Sequence, residues 1–149
     1  MSKIKQLLLL TCCLTCGCQW FSEPEDLSEP THKLAIVESD NLFKANTTNI
    51  TREFRAILDP IGKALEKEKS QYDFKIQAYV DDFGTHNQQT ELSKNQAELI
   101  ASYLWSKYDI PLDHLIEIAG MGSSEPIADP KTYKGRSINR RIQIILQPK

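Results

Sequence analysis

The sequence predicts an α/β (α+β) domain in which a mixed β-sheet is covered by helices on one face. Two observations predict this class. Short apolar or alternating segments typical of strands occur at four places, and two longer segments between them carry apolar residues at helical spacing. The resulting order, β-α-β-α-β followed by a long loop and a last β, is a βαβαββ sandwich with its helices packed on one side of the sheet.

A strand and a helix open the domain. The segment Leu34–Val37 is uniformly apolar and predicts a short strand. A helix is predicted over residues 51–69, where these apolar residues recur at helical spacing: Phe54, Ile57, Leu58, Ile61 and Leu65. Pro60 lies inside this segment and removes one backbone hydrogen bond. The helix is therefore either kinked or split into two pieces, with Asp59 as a second N-cap.

The rest of the chain continues the alternation. Apolar and polar residues alternate over residues 74–80 and predict a second strand, and an amphipathic helix is predicted over residues 88–107. Strands over residues 115–119 and 141–147 follow. The segment between them, residues 121–138, is predicted to be a loop. Loops of that length in a compact domain are usually functional or disordered.

The first seventeen residues have the pattern of an export signal. Lys3 and Lys5 supply a positive start, and the apolar run from Leu7 to Leu14 is too short to span a bilayer, which takes ~20 apolar residues. We therefore predict a signal peptide over residues 1–17 that is removed.

All four cysteines lie at or near the end of this signal: Cys12, Cys13, Cys16 and Cys18. A disulfide framework in the folded part is therefore excluded. The run from Leu14 to Cys18 resembles a lipobox, and Gly17 makes Cys18 the best acceptor. Because Thr15 stands where Leu is usual, cleavage before Cys16 or Cys13 stays open, as do a plain signal peptide and an uncleaved anchor.

The lipobox resemblance implies diacylglycerol and palmitate chains on Cys18. In such lipoproteins an Asp after the Cys tends to retain the protein at the inner membrane, whereas Gln19 stands there in this chain. The resemblance therefore implies delivery to the outer membrane, with the protein lipid-anchored and facing the periplasm.

The segment 18–32 is predicted to be the lipidated Cys followed by an acidic, flexible tether, because it cannot bury enough apolar surface to offset its ordering entropy. About fourteen residues of coil span roughly 20 Å, or ~45 Å fully stretched. Residues 33–149 are enough for one domain. The formal net charge is −2, and −4 once Lys3 and Lys5 are removed (16 bases, 20 acids), so nucleic acid is not a predicted partner.

Several short blocks of the domain occur together in a specific order: Asp40–Phe43, Val80–Thr85, Leu92–Ala97, Gly120–Gly122 with Pro126, Gly135–Arg136 and Asn139–Ile142. With this spacing they resemble the peptidoglycan-binding domain shared by the C-terminal part of OmpA, the Pal lipoprotein and MotB. The resemblance covers residues 33–149. It implies an OmpA C-terminal-like fold that links the outer membrane to the cell wall without covalent chemistry and without a cofactor.

In that family an Asp after the second strand receives the ammonium end of diaminopimelate in the peptidoglycan stem peptide, and an Arg on the next helix receives a carboxylate. Asp81 falls on the Asp position and Gln96 on the Arg position. A neutral amide cannot reproduce bidentate recognition of a carboxylate, and the loss of one charged partner typically costs ~2–5 kcal/mol. The resemblance therefore implies binding that is weakened at Gln96.

Other ligand positions are also altered. Gln89 stands where the family has an Asn, and Val80 stands where it has a Thr. Arg140 and Arg141 are retained; each is either a ligand contact or a structural donor to nearby carbonyls. Asp81 itself is either a ligand or a loop cap.

The remaining polar residues do not predict an enzyme or a metal site. His32, His86 and His114 are far apart in the sequence, although His86 lies near Asp81. Ser123 and Ser124 have no nucleophile elbow and are predicted to be turn residues. A second interpretation is a structural part of an envelope machine that binds protein partners. A short lipoprotein of this design resembles a component of the Dot/Icm type IVB secretion apparatus.

Overall fold

The computed structural model describes residues 32–81 and 84–149, apart from the side chains of residues 32–34. The predicted signal peptide, the predicted acylation site Cys18 and the predicted tether before His32 lie outside the described residues. None of the helices in the described part of the chain is long and apolar enough to cross a membrane.

One mixed sheet is formed by four strands of the described residues: β1 (His32–Glu38), β2 (Tyr72–Tyr79), β3 (Leu115–Gly122) and β4 (Arg141–Pro148). The strand order is β1-β4-β2-β3. Strand β4 is antiparallel to both of its neighbours, whereas β2 and β3 are parallel. The predicted mixed sheet is therefore confirmed.

The helices are α1 (Ser39–Leu42), α2 (Phe54–Glu68), α3 (His86–Tyr108) and α4 (Tyr133–Asn139), with a 3₁₀ turn at Leu112–His114. The two long helices lie where the sequence predicts them. Helix α4 corrects the prediction of a loop over residues 121–138. Its start is fixed by Thr132, whose hydroxyl accepts a hydrogen bond from the Gly135 amide at 2.9 Å.

Helix α2 runs through Pro60 as a single element, so the split into two pieces is wrong. Proline has no N–H, so the carbonyl of Ala56 loses its helical hydrogen-bond partner. Because Ala56 and Pro60 are both exposed, water can bond to that carbonyl instead. Helix α3 begins one residue after Thr85. The Thr85 amide donates to Gln88 Oε1 at 2.8 Å, and the Gln88 amide donates back to the Thr85 hydroxyl. This reciprocal capping satisfies two otherwise unpaired donors.

The core lies between the helices and one face of the sheet, and its members include Leu42, Phe43, Phe54, Leu58, Leu65, Phe74, Ile76, Ile100, Leu104 and Ile110. Helix α3 packs directly on β3 at Gly120. A Cβ on Gly120 would lie 2.2 Å from the backbone nitrogen of Lys94, and one on Gly122 would lie 3.3 Å from that of Thr90. Glycine is required at residue 120 because the two backbones approach so closely.

The strand pairing defines two ends of the sheet. At the first, His32 of β1 pairs with Leu146, Tyr72 pairs with Pro148, and Leu115 pairs with Phe74. We call this the entry end, because the described chain enters the domain there. At the other, Glu38, Tyr79 and Gly122 are the last residues of their strands and Arg141 is the first of β4. We call this the far end.

Candidate ligand-binding site

The far end brings together polar side chains from separate parts of the chain. A cavity of about 10 Å³ lies there, with space for about one water molecule. Its lining residues are Ser39, Asp40, Phe43, Lys44, Asn46, Val80, Gln96 and Arg140. Of the residues predicted to bind ligand, Gln96 and Arg140 therefore line this cavity, whereas Asp81 and Gln89 are not among its lining residues.

Gln96 is buried on the inner side of the cavity, with 2% of its surface exposed. Its Oε1 accepts a hydrogen bond from the Ser39 hydroxyl at 3.1 Å, and its Nε2 donates to the carbonyl of Thr47 at 2.8 Å. The side chain therefore ties helix α3 both to α1 and to the loop that follows α1. Both ends of the amide bond to the protein itself, as a buried amide requires.

Arg140 forms a bidentate ion pair with Asp40. Its Nε lies 3.0 Å from Asp40 Oδ1, and one terminal nitrogen lies 2.6 Å from Oδ2. These hydrogen bonds raise the pKa of Arg140, and Asp81 contributes to the same shift through its charge. The guanidinium that lines the cavity is thus held in place and largely balanced by a carboxylate of the domain.

Asp81 follows β2 and is held by Asn139, the last residue of α4. Asn139 Nδ2 donates to Asp81 Oδ2 at 3.0 Å, while its Oδ1 accepts from the amides of Ile127 and Ala128, both at 2.9 Å. Asn139 is 3% exposed, whereas Asp81 is only half-buried. The sequence reading did not assign this role to Asn139, although the residue lies in the block Asn139–Ile142 that carried the family resemblance.

Gln89, another predicted ligand residue, and His86, which is near Asp81 in the sequence, both lie at the start of α3. Gln89 is 9% exposed and packs where α3 meets the end of β3: its Cβ is 3.5 Å from the position a Cβ would take on Gly122. His86 is exposed as the first residue of α3. Gln89 is therefore placed to support the helix–strand contact.

Arg141 is a structural donor, which decides between the two alternatives for this residue. It is 2% exposed, and its terminal nitrogens donate to the carbonyls of Asn139 at 3.1 Å and Glu125 at 3.0 Å. Its guanidinium carbon lies 3.6 Å from the centre of the Tyr79 ring. Burial lowers the pKa of Arg141 and raises that of Tyr79, whose hydroxyl bonds to Glu125 Oε2 at 3.0 Å.

Among residues 32–81 and 84–149, no three His, Cys, Asp or Glu side chains are grouped so that they could hold a metal ion. His114, for example, lies at the entry end, with its Nδ1 3.5 Å from Asp73 Oδ1. Ser124 is a turn residue, as predicted, and its hydroxyl donates to the Met121 carbonyl.

A mixed sheet with helices on one face and a small polar site at one sheet end defines an α/β binding domain. The chain belongs to the OmpA family, whose model matches residues 42–140. The family resemblance drawn from the sequence blocks is thereby confirmed. The relatives described next are named as outer-membrane and peptidoglycan-binding proteins.

Three relatives show the range of similarity. The outer-membrane lipoprotein YfiB of Pseudomonas aeruginosa is 32% identical over 113 residues, which are 74% of this chain and 64% of YfiB. Outer membrane protein A of Bordetella avium is 27% identical, over 82% of this chain and 61% of the relative. The peptidoglycan-binding protein ArfA of Mycobacterium tuberculosis is 35% identical over 71 residues, 48% of this chain and 21% of ArfA. The chain thus spans less than two thirds of each relative.

Solved structures show the same fold. The cell wall anchor of the T6SS from Pseudomonas aeruginosa superposes with a TM-score of 0.65 at 23% identity, over 76% of this chain and 80% of that one. The periplasmic domain of Helicobacter pylori MotB gives a TM-score of 0.65 at 22% identity, over 76% of this chain and 74% of the other. At such identities the likeness is one of fold.

Proposed function

We propose that this protein is an outer-membrane lipoprotein whose periplasmic domain binds peptidoglycan without a covalent bond and so links the outer membrane to the cell wall. Membership of the OmpA family supports this proposal, as do relatives named as an outer-membrane lipoprotein and as a peptidoglycan-binding protein. The observation that carries it is the carboxylate of Asp81, held by a buried Asn139 at the far end.

The chemistry of this carboxylate suits the ammonium end of diaminopimelate in the stem peptide. Because Asn139 already fixes Asp81, little side-chain entropy is lost when an ammonium group binds, and the bond formed is charge-assisted. Arg140 supplies a positive charge near the cavity, and its ion pair with Asp40 largely balances that charge. Gln96 acts indirectly, because it bonds to Ser39, which lines the cavity, and to the carbonyl of Thr47 in the loop after α1. Gln89 packs between α3 and the end of β3 and so supports the contact between them.

Sedimentation of the mature protein with purified sacculi tests the binding. Replacing Asp81 with Ala removes the charged acceptor and is expected to weaken retention by about tenfold or more, because hydrogen bonds to charged groups contribute ~1.5–3 kcal/mol. Asp113→Ala, which removes an exposed carboxylate beside the entry end, is the matched control and should bind like the natural protein. Equal binding by the Asp81 and Asp113 variants would contradict the proposal.

The lipid anchor at Cys18 is tested separately. Labelling cells with a palmitate analogue should mark the protein, and Cys18→Ser should abolish the label and release the protein from the outer-membrane fraction. Cys16→Ser should leave both unchanged. If the label is lost instead on replacing Cys16 or Cys13, that cysteine is the acylated one. If the protein takes up no label at all, the lipid anchor is contradicted.

A second candidate function is a structural component of an envelope machine, similar to the DotK/IcmN lipoprotein of the type IVB secretion outer-membrane complex, with peptidoglycan binding weakened or lost. One observation favours it: Gln96 and Arg140, the candidate partners for a ligand carboxylate, are both engaged with groups of the domain itself. Co-purification with a large outer-membrane complex would support this candidate. A single monodisperse lipoprotein in the detergent extract would argue against it.

A further inference from the structure

Three apolar side chains are exposed toward the entry end, at the opposite end of the sheet from the site. Trp105 is 51% exposed, Leu112 is 54% exposed and Ile116 is 45% exposed. Trp105 lies in the last turn of α3, Leu112 in the 3₁₀ turn and Ile116 near the start of β3. Single exposed apolar residues are common on protein surfaces, whereas a group of them on one surface marks an interaction site. The question is therefore whether these three lie on one surface.

The packing of α3 on β3 places these three residues near the same end of the helix–strand pair. Gly122 lies against Thr90 and Gly120 against Lys94, so the helix and the strand run in opposite directions. Four residues of helix cover about the same length as two residues of strand, at ~1.5 Å and ~3.3 Å per residue. Continued toward the entry end, this register sets residue 102 beside Ile116. Trp105 then lies one turn further, beside the 3₁₀ turn. We call Trp105, Leu112 and Ile116 the entry patch.

The chain outside the described residues also leaves from this end. Strand β1 begins at His32, which pairs with Leu146 near the end of β4. If Cys18 carries the lipid, as the proposed function holds, about fourteen residues keep the entry end roughly 20 Å from the bilayer, and ~45 Å at most. Such a short tether gives the patch a high effective concentration at the membrane surface.

We infer that the entry patch docks on the surface of the bilayer that holds the anchor, with Trp105 and Leu112 in the interfacial layer. This inference rests on the lipid anchor of the proposed function. Tryptophan is enriched at membrane interfaces because its ring is apolar while its N–H can reach water. Two nearby lysines are paired, Lys107 with Asp59 at 2.7 Å and Lys149 with Asp73 at 3.9 Å, and the carboxylate of Asp113 is exposed beside Leu112. Apolar contact, rather than attraction to anionic lipid, therefore drives the docking.

Docking in this way fixes the orientation of the domain. The far end is separated from the entry end by the length of the strands, eight residues in β2, β3 and β4, or about 26 Å. The site of Asp81, Asn139 and Arg140 would therefore face away from the membrane, toward the cell wall.

Fluorescence of the full acylated protein in vesicles of phosphatidylethanolamine and phosphatidylglycerol tests this inference. The chain has two tryptophans, so Trp20→Phe leaves Trp105 as the only reporter. Docking predicts a blue-shifted emission, protection from acrylamide and quenching by lipids with brominated acyl chains. Leu112→Ser should shift the docking equilibrium by about tenfold toward the free state. Ile127→Ser, equally exposed at 54% but beside the site, should change nothing.

The outcomes separate the inference from the proposed function. Protein that floats with the vesicles while Trp105 stays open to acrylamide and insensitive to brominated lipid would overturn the docking but leave the anchor intact. An equal effect of Leu112→Ser and Ile127→Ser would overturn the entry patch as the contact. Protein that does not float would overturn the anchor and the inference together. Binding to sacculi is read independently of all three.

Discussion

The two ends of the sheet differ in how far their polar side chains are buried and hydrogen-bonded. At the far end Gln96 and Arg141 are each 2% exposed and bond to backbone carbonyls of the protein. Toward the entry end Trp105 is half exposed, and the pair formed by Asp59 and Lys107 lies at the surface. Leaving a buried polar group without its partner costs far more free energy than breaking an exposed ion pair, whose members water can solvate. The far end is therefore specified by hydrogen bonds, whereas the surface near the entry end tolerates change.

The largest expected effect is at Arg141. Its replacement with Ala removes two hydrogen bonds and the contact with Tyr79, and leaves the carbonyls of Asn139 and Glu125 without this donor. We expect the free energy of unfolding, measured in urea, to fall by about 3 kcal/mol. Arg55→Ala, on the exposed face of α2, should change it by less than about 0.5 kcal/mol. Similar losses in both variants would contradict the view of the far end as a buried network.

The next effect is at Gln96. Gln96→Leu keeps the approximate volume but leaves the Ser39 hydroxyl and the Thr47 carbonyl without their amide partner. We expect a loss of about 2 kcal/mol in the free energy of unfolding. The neighbouring change Asn95→Leu, at an exposed position of the same helix, is the control and should be close to neutral. A Gln96→Leu protein as stable as the control would show that the amide does not organise the cavity.

A smaller effect is expected for Arg140→Lys. Lysine keeps the positive charge but cannot form the two parallel hydrogen bonds to Asp40. Since the pair is partly open to solvent, we expect a loss of only about 1 kcal/mol, measured by urea unfolding alongside Arg52→Lys, whose side chain is 93% exposed. Sacculus binding should fall in the Arg140 variant alone. An unchanged affinity would remove Arg140 from the ligand site.

The smallest effect is expected at Asp59, and it depends on pH. Hydrogen bonds, first of all from Lys107, lower the pKa of Asp59 in the folded protein. The stabilisation is therefore present above the pKa that Asp59 has in the unfolded chain and is lost as pH falls through its lower folded value. Asp59→Asn should be slightly less stable than the natural protein near neutral pH. A stability difference that persists unchanged in strong acid, by urea midpoints, would contradict this assignment.

Much of the fold follows from local patterns in the sequence. Apolar residues at helical spacing placed α2 and α3, and alternation placed β2, because each element must bury one face. The same reasoning missed α4, because Tyr133–Asn139 has too few residues for a repeating apolar pattern and starts at the Thr132 cap. Pro60 shows the opposite limit: its effect on α2 depended on whether water could reach the freed carbonyl.

The sequence alone was enough to predict the class of the domain, its family and the presence of Asp81 and Gln96 at the family's ligand positions. The contacts of these two residues become known only from the folded domain: Asp81 contacts Asn139, 58 residues away along the chain, and Gln96 contacts Ser39, 57 residues away. Local spacing sets which face of an element is buried. Hydrogen bonds between distant segments depend on how whole elements pack together, and a local sequence pattern does not show which distant residues come into contact.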